Sequence, residues 1–186
     1  IFYLDRDPKV CAEMHCDKHV VKMIIEYAQL MSTAHRVLDG NPYTDLTAAG
    51  RRIQRWRLFD DRETELMKAS HVNHPSGVWC RDNDSNYQWL YTMWKHLCEE
   101  YTHRYGKVHA CARLDWLLSL SPDNIKTGEF YPPTPAMPQE LKLLAEIPVP
   151  GRKYDSLKSY HNYYIQAKAS FAKWKNRSIP EWFVTT

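Results

Sequence analysis

Residues 14–36, MHCDKHVVKMIIEYAQLMSTAHR, carry His15, His19, Lys22, Glu26, Gln29 and Thr33 at steps of 4, 3, 4, 3 and 4. On an α-helix that spacing puts all six on one narrow face. The chemistry on offer is general acid/base work by Glu26, an amine nucleophile at Lys22, and imidazoles at His15 and His19 that titrate near neutrality. The other positions, among them Val20, Val21, Ile24, Tyr27, Leu30 and Met31, are apolar almost all the way round, so the helix belongs at the centre of the fold. Its polar stripe therefore looks on water, on a ligand or on partner side chains, because unpaired buried charge is costly. One reading is a solvent strip in which Lys22 and Glu26 form an i,i+4 pair contributing roughly 0.2–0.5 kcal/mol. The other is the floor of a cleft, favoured because the strip is narrow and holds histidines where an exposed strip would carry Lys, Glu and Arg. Glu26, Lys22 and His19 are the candidate catalytic residues, with His15 and Gln29 as candidate substrate contacts.

A second constellation, HVNHPSGVW, concentrates His71, Asn73, His74 and Ser76, with Arg81 just beyond. Loops on a rigid scaffold are where binding groups sit, so His71, Asn73, His74 and Arg81 join the candidate substrate contacts; the alternative is that the histidines cap neighbouring helices. A third is basic and aromatic: Arg51, Arg52, Arg55, Trp56 and Arg57, then Tyr163, Tyr164, Lys168, Phe171, Lys173, Trp174 and Lys175. Cations for phosphates interleaved with rings for bases suit a nucleic-acid surface, so Arg51, Arg52, Arg55, Lys168, Lys173 and Lys175 are candidate DNA contacts. A solvated basic face over core aromatics has the same composition. His15 and His19, with Cys11 and Cys16 nearby, are also spaced to reach one ion, but a structural zinc site draws on two separated pairs. No metal or cofactor is expected.

The elements that must position these groups read as helical. Asp7-Pro8 is a helix start, with periodicity running to about Leu38 before DGNP stops it. RRIQRWR is expected to be a connector, followed by a short helical piece near residues 62–69 and an ordered loop about His74. YQWLYTMWKHLCEEYTHRYGK forms the second long helix, closed by Gly106; ACARLDWLLSL forms a third, and a fourth runs from Ser156 to about Lys175. The proline-rich stretch 122–153 is a rigid surface connection. No long alternating strand pattern or internal repeat is visible, so the expectation is a single all-α domain, residues 1–186, built around the long N-terminal helix.

A chain of 186 residues, 44% apolar and 13% aromatic, can bury one sizeable core. Lys and Arg number 25 against 22 Asp and Glu; that net +3 permits a polyanionic partner without demanding one. Five cysteines without a CxxC pair, and no apolar leader before the first helix, suggest reduced thiols in the cytosol. No stretch approaches the roughly 18 apolar residues of a membrane span.

DKHVVKMIIEYAQLMSTAHR resembles the catalytic helix of the small phage pyrimidine-dimer DNA glycosylases of the endonuclease V type, in which an Asp-x-His precedes the catalytic glutamate by seven residues. Here those positions are Asp17, His19 and Glu26. YQWLYTMWKHLCEEYTHRYGK is similar to that family's second long helix and YHNYYIQAK to its aromatic C-terminal segment, so that about half the chain is covered; the chain is also similar to proteins of tailed phages. The resemblance implies an all-α enzyme that flips a base from DNA and cleaves its glycosidic bond through an imine, in a host-cell cytoplasm. The family's nucleophile is the α-amine of an N-terminal threonine. This chain has a longer segment before His19 and no threonine heading it, which leaves Lys22 or the amine of the mature chain. Two further readings stand beside the glycosylase/lyase: a transferase or hydrolase modifying a nucleotide or nucleobase, and a non-enzymatic helical DNA-binding protein.

Overall fold

The computed structural model describes residues 1–184. Helix α1 (Pro8–Met14) starts where Asp7 accepts the Val10 N–H, with proline in its first turn. The periodicity then breaks. His15 turns extended and a new helix, α2 (Asp17–Asp39), begins two residues later. The cause lies 89 residues away: the Arg104 guanidinium takes the carbonyls of Glu13 (2.8 Å) and His15 (2.7 Å) and pairs with Asp17 (3.0 Å) and Glu100 (2.8 Å). A helix end whose orphan carbonyls are taken by a buried cation has no need to continue.

The expectation of an all-α fold is overturned. Gly40 ends α2, where a Cβ would sit 2.5 Å from the Arg36 carbonyl and 3.0 Å from that of Arg57. The chain then forms an antiparallel hairpin of β1 (Asn41–Leu46) and β2 (Arg52–Arg57), six residues each in unbroken register. RRIQRWR is therefore largely a strand. Neither hairpin face enters the core, so no alternation of apolar and polar residues announces it. Short helices α3 (Arg62–Glu65) and α4 (Pro75–Cys80) follow, then the second long helix α5 (Asp84–Tyr105), closed by Gly106 at φ 69°. ACARLDWLLSL is a 3₁₀ turn (Ala110–Leu114) running into α6 (Asp115–Leu118). The proline-rich connection contains a 3₁₀ turn (Gln139–Leu141) and a second antiparallel hairpin, β3 (Leu144–Val149) with β4 (Arg152–Tyr154). Helix α7 (Ser156–Ala167) stops eight residues short of its expected end.

Long helices α2 and α5 form the centre. Ile24, Tyr27, Ala28 and Met31 of α2 are fully buried, as are Leu90, Met93 and Leu97 of α5. Trp94 also donates its indole N–H to the Ile24 carbonyl at 2.9 Å. Tyr160 and Tyr164 of α7 close the core from the side of the extended N-terminal segment, in which Tyr3 and Leu4 are buried. Among the described residues no helix is long and apolar enough to cross a membrane.

Candidate functional site

The polar stripe is split by depth. Lys22 and Glu26 stand on the outward face of α2, their side chains 67% and 48% exposed and 3.2 Å apart. His15, His19 and Thr33 are buried. His15 is not on the helix: its Nδ1–H donates to the Cys11 carbonyl (2.8 Å), which leaves Nε2 to accept from Tyr27 Oη (2.8 Å). Tyr27 in turn accepts the Phe2 N–H at 3.0 Å, so the pair fixes the extended segment in place. His19 bonds Tyr164 Oη at 2.6 Å through Nδ1 and lies stacked on Phe2. Burial holds both imidazoles down to about 3, so they are neutral at pH 7. Neither reaches the cavity, and what they do is hold tyrosines and the first residues of the chain.

Beside Glu26 there is a cavity of about 350 Å³, lined by Ile1, Met23, Ile25, Glu26, Gln29, Leu30, Ser70, His71, His74 and Ser76. The stripe and the histidine loop, separate in the sequence, meet here. Gln29 is anchored by donating to the Lys68 carbonyl at 2.6 Å. His74 caps α4, its Nδ1 accepting the Ser76 N–H at 3.1 Å, and burial together with the neighbouring Ile1 nitrogen lowers its pKa. His71 adopts φ 48° with Nδ1 2.6 Å from Ser70 Oγ, a left-handed conformation rare outside glycine and asparagine. Asn73 is exposed and does not line the cavity.

One group at this site carries no signal in the sequence. The Ile1 nitrogen is buried and donates to Ser76 Oγ at 3.2 Å; in a chain that starts at Ile1 this is an amine whose pKa burial lowers to about 6, against the opposing pull of the Glu26 charge. Only the fold could bring residues 1 and 76 together. Arg81, a candidate contact, is not among the cavity-lining residues; its Nη1 lies 3.5 Å from where a Gly77 Cβ would sit, a point that is also 3.7 Å from the His71 carbonyl and 3.8 Å from Leu30. That buried nitrogen has no hydrogen-bond partner among the described residues, and desolvation lowers the pKa of the group.

The basic candidates fall into two regions. Arg51 and Arg52 are exposed on the first hairpin, whereas Arg55 donates to the Ala69 carbonyl, next to cavity-lining Ser70. At the other end of the exposed α2 face, Lys18 and Lys168 both lie over the Phe171 ring, and Lys168 also over Tyr163. Lys173 is exposed, and Lys175 lies over Tyr105. Lys18 to Gln29 is about 16 Å of helix at 1.5 Å per residue, so cations flank the cavity at both ends of that face.

A cavity of similar size, about 320 Å³, lies under the second hairpin between Arg6, the proline run and Arg152. It has Asp155 and Tyr3 but no amine or imidazole. Among the described residues no three His, Cys, Asp or Glu side chains gather as a metal site. Compared with family models, curated proteins and solved structures, the chain matches none.

Proposed function

We propose that the cavity beside Glu26 is the active site of a DNA base-processing enzyme, a pyrimidine-directed glycosylase with lyase chemistry acting on damaged or modified bases. The observation that carries this reading is the convergence of a carboxylate, a desolvated nitrogen and two imidazoles on one concavity of ligand size. Cations at both ends of the exposed α2 face add a track for the phosphate backbone.

In this reaction an unprotonated amine attacks C1′ of the sugar, and the bond from C1′ to the base breaks. The base leaves with the electron pair and takes a proton. The attacking nitrogen loses two protons, one taken by the leaving base and the other by Glu26, which passes it to ring oxygen O4′ as O4′ leaves C1′; the C1′–N bond becomes an imine. An amine with a pKa near 6 is mostly unprotonated at neutral pH, and a chain prepared with its amino terminus at Ile1 offers such a group at the cavity wall. Lys22, two-thirds exposed and paired with Glu26, lacks the burial that this role asks for. Its fitting part is to hold the carboxylate until substrate displaces it. Glu26→Gln keeps the shape and removes the proton; base release from duplex carrying pyrimidine lesions is expected to fall by ~10²-fold or more. Release unchanged in Glu26→Gln would remove the assignment.

One observation favours a second reading, an enzyme that modifies a free nucleotide. Among the described residues Arg81, behind the cavity wall, makes no ion pair and its buried Nη1 meets no acceptor; a phosphate monoester would supply one.

A further inference from the structure

The hairpin β1–β2 holds four arginines, Arg51, Arg52, Arg55 and Arg57, against one acid, Asp45; that excess equals the net charge of the whole chain. The rest of the molecule is neutral on balance, so these 17 residues carry a charge equal to the whole chain's net +3. Asp45 is engaged by Lys68 at 3.7 Å, while Arg51 and Arg52 side chains make no ion pair or hydrogen bond among the described residues.

The register sorts the side chains. Tyr43, Asp45, Ile53 and Arg55 form the partly covered inner face, tied down by Arg55 to the Ala69 carbonyl. The outer face pairs Thr44 with Gln54 and Leu46 with Arg52, all four exposed, Leu46 at 63%. A hydroxyl and a carboxamide side by side are groups that read base edges, and an aliphatic side chain suits a thymine methyl. The tip, Thr47-Ala48-Ala49-Gly50, has no bulky residue, and Gly50 turns at φ 76°. Two strands about 4.8 Å apart form a ribbon that the roughly 12 Å major groove of B-form DNA admits. The deep, narrow major groove of A-form RNA excludes it.

We infer that this hairpin is a duplex-DNA-binding ribbon that enters the major groove beside the Glu26 cavity. Arg51 and Arg52 meet phosphates at the tip, and Thr44 and Gln54 face the bases. Arg55, one peptide from Ser70 of the cavity wall, fixes the distance between the groove and the pocket. Only the identity of the partner as DNA rests on the proposed function. The surface, the groove and the duplex form stand on the hairpin itself.

The test uses Glu26→Gln protein and undamaged B-form duplex, with affinity measured by fluorescence anisotropy across a salt series. Arg51→Ala/Arg52→Ala is expected to weaken binding more than tenfold at low salt and to reduce the log–log salt slope by about 1.8, or about 0.9 for each phosphate no longer neutralised. Gln54→Ala is expected to alter preference among duplex sequences with the slope unchanged. Methyl green, which occupies the major groove, is expected to compete, and netropsin, which occupies the minor groove, is not. Equal affinity and slope in the double variant with its circular dichroism intact would overturn the inference, as would competition by netropsin alone or equal binding to double-stranded RNA. Base release by wild-type protein is scored separately. Release without hairpin dependence refutes the ribbon alone, and hairpin-dependent binding without release refutes the enzyme alone.

Discussion

Glu26 is useful for proton transfer because of where its neighbours lie. Gln29 and Met23 share its helix face, but His71, His74, Ser76 and Ile1 arrive from two other segments to make the concavity. Among the described residues three buried polar atoms meet no partner, Ser32 Oγ, Arg55 Nε and Arg81 Nη1, and the last lies behind the cavity wall; an unsatisfied buried donor costs about 1–3 kcal/mol. Arg81→Met is therefore expected to leave the fold unchanged or more stable. It is also expected to weaken binding of a nucleoside monophosphate about 10- to 100-fold relative to the unphosphorylated nucleoside, the usual worth of a charged hydrogen bond. Titration calorimetry reads both ligands, and an equal loss for both would show that Arg81 meets no phosphate. At this scale the sequence was informative about Glu26, Lys22, Gln29, His71 and His74, which lie in or beside one cavity. It misplaced His15 and His19, whose side chains complete buried pairs with Tyr27 and Tyr164.

That misplacement belongs to the element scale. Residues 8–38 have continuous helical periodicity, and the break at His15 is imposed by Arg104 from α5, a partner that no local pattern contains. Arg104 and Glu100 are fully buried and share their network with Asp17 and Arg177. Arg104→Ala strands the α1 carbonyls, takes the cation from Asp17 and leaves Glu100 to Arg177 alone, with an expected loss of about 3–5 kcal/mol in urea unfolding; a loss below about 1 kcal/mol would mean that the break has another cause. The two long helices were legible because their apolar stripes, and the Gly106 cap of α5, are local signals. Both hairpins were not, since Arg52–Arg57 and Leu144–Val149 sit on the surface and their side-chain alternation is polar against polar or interrupted by proline.

Across the whole molecule, three buried imidazoles tie stability to pH. Burial holds His15 and His19 down to about 3 and His35 to about 4, against 6.5 unfolded. Between those values the unfolded chain binds protons that the folded chain refuses. Stability is thus fully present above pH 6.5 and is lost on acidification toward 3–4, at up to about 1.4 kcal/mol per pH unit for each histidine. Urea midpoints are expected to fall steeply from pH 6.5 to 4.5, and a flat profile would show that these imidazoles accept protons in place. Acid sensitivity of the fold also bounds any activity profile, so a fall in turnover below pH 6 is read only alongside the unfolding curve. The proposed enzyme stands or falls on whether an amine at the Glu26 cavity bonds to the sugar of a DNA substrate. Borohydride trapping on duplex with an abasic site or pyrimidine lesion, using chain prepared to begin at Ile1 and tryptic mass mapping, reads this directly. The expected result is one adduct, on the peptide ending at Arg6, forming at least tenfold more slowly in Glu26→Gln; no adduct on any such duplex, or adducts on surface lysines indifferent to Glu26, would contradict it.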